Sequence, residues 1–126
     1  MNTFDAAYRE ATQLASDVNS LRLQRIDEHG HHEAAERGLA AETARLTLTA
    51  AAAGTNDLAR RAALAEMQAA DEGYRAARLR LDQCSDRLAT IDADLSAGHD
   101  RLGLLKLLLQ WHIAERQADA RQEKAS

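Results

Sequence analysis

The chain has 126 residues, no proline, six glycines and four aromatic residues, Phe4, Tyr8, Tyr74 and Trp111. Of its apolar residues 28 are alanine and 18 leucine, while valine and isoleucine together number four, so a sheet lacks the β-branched and aromatic residues its pleats require. Twenty acids against sixteen bases give −4, with the signs interspersed, which excludes the basic field expected of a nucleic-acid binder. The composition therefore predicts an all-α fold in which alanine contributes little buried area per residue.

In chain order, the first segment keeps one heptad register for about fifty residues. Phe4, Ala11, Val18, Arg25, His32, Leu39, Leu46 and Ala53 fall at a; Ala7, Leu14, Leu21, Glu28, Ala35, Glu42 and Thr49 fall at d. This predicts a helix over about 3–53 with a polar middle. Gly54-Thr55-Asn56-Asp57 reads as the turn, with Gly54 in a left-handed cap and Asn56 capping the next helix.

The second segment places Arg60, Met67, Tyr74, Leu81, Leu88, Leu95, Leu102 and Leu109 at a, and Ala63, Ala70, Ala77, Cys84, Ile91, Gly98, Leu105 and His112 at d. It predicts a helix over about 57–120. Gly98 could break it and send a third helix back as a bundle, but Leu95 and Leu102 keep phase across the glycine, which favours continuity. The expected architecture is one domain over 1–126, a long antiparallel helical hairpin of coiled-coil type. A C-terminal helix or oligomerisation could complete it to a bundle. Folding at 54–57 sets residue i opposite about 110 − i, so Ala11 would meet Gly98, and residues beyond about 107 would overhang the first helix.

Candidate chemistry is sparse. His29, His31 and His32 with Glu36 are metal-ligating types on neighbouring turns, but no second Glu-x-x-His accompanies Glu28-x-x-His31, because His99 and His112 follow Ser96 and Leu109. A solvated polar stretch is the expected reading, with metal binding the alternative and no cofactor expected. Cys84 at d reads as a small core residue, and its solitude excludes an intramolecular disulfide and suits a reducing, cytoplasmic compartment. The N-terminal stretch lacks the apolar segment of a signal peptide or membrane span. No phosphate loop, nucleophile elbow or paired zinc motif occurs, so an enzyme is not expected. The arginine and alanine excess suits a GC-rich bacterial or phage genome, a compositional association only.

The surplus apolar residues carry the functional expectation. Leu104, Leu107, Leu108, Trp111 and Ile113 lie outside the seam, and Leu23, Ile26 and Leu79 form a smaller off-seam set. Together they predict a non-enzymatic structural or adaptor subunit that self-associates or docks on a protein partner. A nucleic-acid accessory role within a larger complex is the further alternative, and no membrane contact is expected.

Overall fold

The computed structural model describes residues 3–125, and among them the chain forms three helices and no strand: α1 (Thr3–Ala51), α2 (Asp57–Ala70) and α3 (Glu72–Ala125). Helix α1 packs against α3. The seam follows the heptads closely. On α3 the less exposed positions are Tyr74, Ala77, Leu81, Cys84, Leu88, Ile91, Leu95, Gly98, Leu102, Leu105, Leu109 and His112, the a and d series throughout. On α1 the series holds from Phe4 to Leu46, but Arg25 is exposed, as are Thr49 and Ala53 beyond it.

Two compact units divide the chain, Met1–Gln24 with Ile91–Ser126, and Arg25–Thr90. In the first unit Ala7, Val18, Leu95 and Leu105 are buried. Helix α3 runs unbroken through Gly98, whose missing side chain faces Val18: a Cβ there would lie 2.9 Å from Val18 Cγ2. Val18 thus takes the place that the 110 − i pairing gave to Ala11. Phe4 reaches His112, with ring centroids 6.2 Å apart and the rings edge to face, and the Arg116 guanidinium stands 4.7 Å over the Phe4 ring. Val18 with Gly98 and Phe4 with His112 both follow 116 − i, so the first turn of α1 lies alongside residues 112–116 of α3. Residues 107–112 therefore do not overhang α1.

In the second unit Ala35, Leu46, Ala50, Ala77 and Cys84 are buried, a core of small residues around one leucine. Helix α1 stops at Ala51, and its last carbonyls are met by tightened bonds from Ala52 N to Thr49 O (3.3 Å) and Ala53 N to Ala50 O (3.0 Å). No described glycine has a positive φ, so Gly54 is not a left-handed cap. Arg60 replaces that device by donating to the Gly54 and Thr55 carbonyls at 3.1 and 3.3 Å. Asn56 caps α2, its side-chain oxygen accepting from Ala59 N at 2.7 Å.

A break that the heptads conceal falls at Asp71. Its backbone is extended (φ −75, ψ 123), and its carboxylate accepts from Tyr74 N at 2.8 Å, which caps α3. Arg45 of α1 donates to the same oxygen at 2.6 Å while also holding Glu42 at 2.7 Å. Gly73 leaves room for this cluster, since a Cβ there would approach Glu42 Oε2 to 3.1 Å. The Tyr74 amide and then Arg45 hold the Asp71 carboxyl below its ordinary value.

Candidate functional site

One face of α3 in the first unit exposes several large apolar residues together. Leu104, Leu107 and Trp111 are 60%, 63% and 57% exposed, and Leu108 lies between them at 36%. Their i, i+3, i+4, i+7 spacing confines them to a sector of about 100° on the helix. Leu105, one residue away, is 2% exposed because it points into the seam. The four residues are exposed because they face away from α1, not because they extend past its end. Ile113, grouped with them by sequence, sits about half a turn round the helix and does not share their face. Gly103 borders the stripe with nothing within 4 Å of a Cβ placed on it.

Electrostatically the stripe ends in carboxylates. Asp100 and Glu115 are exposed on its sector, about 22 Å apart along the axis at the rise of an α-helix. The neighbouring cation, Arg101, is committed to Glu10 of α1 through bonds of 2.8 and 3.0 Å. That pairing holds the Glu10 carboxyl below its ordinary value of 4.5. Lys106 projects from the far side of the helix, as its position two residues after Leu104 requires. His112 lies beneath this region, its Nε2 buried without a hydrogen-bond partner and its Nδ1 3.9 Å from Glu115.

The smaller set does not lie in the core: Leu23, Ile26 and Leu79 are 60%, 68% and 58% exposed. Sequence reasoning missed another apolar feature in the second unit, a groove of about 700 Å³ between Leu39, Thr43, Thr47 and Leu48 of α1 and Leu81 of α3. Leu48, 77% exposed, was its only off-seam leucine and so its only signal in the sequence.

The histidines separate into individual pairs. His29 Nδ1 lies 3.6 Å from Glu33, His31 Nδ1 3.6 Å from Glu28, and His32 Nδ1 2.9 Å from Glu36. Among the described residues no group of three histidine, cysteine or carboxylate side chains is placed to hold a metal ion. Glu28 is engaged mainly by Arg87, which donates to it at 2.7 Å and holds its carboxyl below the ordinary 4.5. Arg87 also reaches the buried Cys84 Sγ at 3.3 Å.

One arrangement has the outline of a nucleophile chain: Ser85 Oγ lies 3.1 Å from His32 Nε2, and Glu36 orients the other ring nitrogen. Acyl transfer also needs donors aimed at the developing oxyanion. Ser85 and His32 both sit inside uninterrupted helices, whose backbone N–H groups are committed to the i to i−4 ladder. The arrangement ties α1 to α3 across the seam. Ser85 lies outside the a and d series, so the heptads gave no reason to select it.

Nothing among the described helices is long and apolar enough to cross a membrane. No protein family, curated protein or solved structure matches the chain.

Proposed function

We propose that the protein is a structural or adaptor subunit, without catalysis of its own, that acts by docking another helix on the Leu104, Leu107, Leu108 and Trp111 face of α3. The observation that supports this reading is the separation of two apolar stripes on one helix. The seam residues Leu102, Leu105, Leu109 and His112 are covered by α1, while the second stripe is left to solvent. A helix that is apolar on two sides is suited to burial on two sides. Tryptophan at such a face is the residue type most often found to anchor an interface. Leu23 in the first unit, and Ile26 and Leu79 in the second, are exposed apolar residues kept in this reading as contacts of their own units, and Ile113 stands apart from the docking face.

The covering element is either a second copy or a protein partner. A cytoplasmic setting, in a bacterium or a phage assembly, belongs to the same proposal and draws on the single buried thiol and on composition. Light scattering with small-angle scattering on the wild type and on Trp111→Ala/Leu108→Glu tests it, together with titration of helical peptides followed by Trp111 fluorescence. Concentration-dependent association or peptide docking that the double substitution removes is the expected outcome. A chain that stays monomeric at every concentration, with Trp111 emission unmoved by any helical peptide, would sink the reading.

A further inference from the structure

Resting on that docking reading, we infer that the occupant of the α3 face is not a second copy of this chain. It is an amphipathic helix from a different protein, apolar in the middle and basic at both ends. The argument starts from the ends of the stripe. Asp100 lies before Leu104 and Glu115 after Trp111, both exposed and on the sector of the four apolar residues. Arg101, the cation best placed to neutralise Asp100, is bound to Glu10, and Lys106 is on the opposite side of the helix. The face is thus an apolar patch closed by two carboxylates.

A second copy fits this pattern poorly in either direction. An antiparallel pairing that sets Leu104 against Trp111 and Leu107 against Leu108 also sets Asp100 against Glu115 at both ends. A parallel pairing sets Asp100 against Asp100 and Glu115 against Glu115. Like charges at matched positions are an established way of rejecting a wrong partner.

Apolar area alone is small for any occupant. The four side chains expose on the order of 450 Å², so covering them with another helix would bury about 900 Å² in all, below the roughly 1,200 Å² of a specific stable interface. A face of this size needs help from charge, and only a partner of opposite sign supplies it. Lysine or arginine about four turns apart on the incoming helix would meet Asp100 and Glu115. Gly103, bare at the edge of the stripe, lets the incoming helix come close. The same two carboxylates disfavour an anionic membrane surface.

The test uses the full chain and two tryptophan-free helical peptides with one leucine stripe at i, i+3, i+4, i+7. One carries lysines flanking the stripe at the Asp100 to Glu115 spacing, the other glutamates. Trp111 is the only tryptophan, so its emission reports docking directly. The lysine peptide is expected to shift that emission to the blue and to bind at least about tenfold more tightly than its twin, by the usual strength of two charge pairs. The preference should fall as salt rises. In Asp100→Lys/Glu115→Lys it should reverse. Equal affinity for the two peptides, or a homodimer of the chain alone that Leu108→Glu dissolves, would overturn the inference while leaving the docking reading in place. An emission spectrum unmoved by either peptide, with no self-association, would end both.

Discussion

The two units join their helices by different means. In the first, Leu95 and Leu105 supply bulk, Phe4 closes against His112, and Val18 fits the bare backbone of Gly98. In the second, the buried residues are mostly alanine with Cys84, and polar ties cross the seam: Glu28 with Arg87, His32 with Ser85, Arg45 with Asp71. Small core residues give little apolar burial and bring the helices close enough for flanking side chains to reach across. The first unit sets a tie of this kind, Glu10 with Arg101, beside a bulkier core, whereas the second sets these three against a core of small residues, so the balance shifts from fit toward polar pairing. This difference shows how an alanine-rich hairpin can specify its pairing where its core is thin.

The largest expected effects come from the most deeply buried leucine of each unit, Leu105 in the first and Leu46 in the second. Leu105→Ala and Leu46→Ala should each cost about 2–5 kcal/mol, measured by urea unfolding, whereas Leu104→Ala should stay within about 0.5 kcal/mol. If Leu46→Ala proved silent, charge rather than packing would dominate the second unit, and the comparison would need redrawing.

Next come the glycines. Gly98→Ala meets Val18 and should destabilise by about 1–3 kcal/mol despite alanine's better helix propensity. Gly30→Ala has open space and should stabilise by up to about 1 kcal/mol. Thermal melts showing the same sign for both would remove the idea that Gly98 is fitted to Val18.

Acid gives a smaller, graded effect. Glu10, Glu28 and Asp71 have carboxyls held below their ordinary values of 4.5, 4.5 and 3.8. The stability they contribute is complete above those values and is lost as pH falls through the lowered ones. Two of the three belong to the second unit, so hydrogen exchange between pH 7 and pH 3 should show protection falling further there. Equal loss in both units would break the contrast.

Salt gives the smallest effect. Raising it to about 1 M screens exposed pairs, and the second unit, with Glu28 paired to Arg87 and Arg45 to Asp71, should loosen slightly more than the first, which has Glu10 paired to Arg101.

Much of this was legible before any coordinates. The a and d series from Tyr74 to His112 is the observed seam because leucine and alanine recur there without interruption. The surplus residues Leu104, Leu107, Leu108 and Trp111 could be picked out because the seam had already claimed their neighbours. The break at Asp71 could not, since Met67, Ala70 and Tyr74 keep heptad phase across it, and Asp71 reads equally well as the partner of Arg75. Its actual partner, Arg45, lies on another helix. The pairing offset was likewise hidden. Counting from the turn assumes that both arms start at the same height, and an offset of one heptad replaces Ala11 by Val18 opposite Gly98. Ile113 is outside the seam as expected but off the stripe, because lying outside the seam does not say which other side of the helix a residue occupies.

The contact of Val18 with Gly98 also limits how the two arms can slide. Moving α3 by one heptad toward either end would bring Ile91 or Leu105 to the place where Val18 now meets bare backbone. Neither can accept the valine without separating the helices. A repeated pattern of leucine and alanine is nearly indifferent to such shifts, so this single absent side chain acts as a notch that admits one alignment out of several.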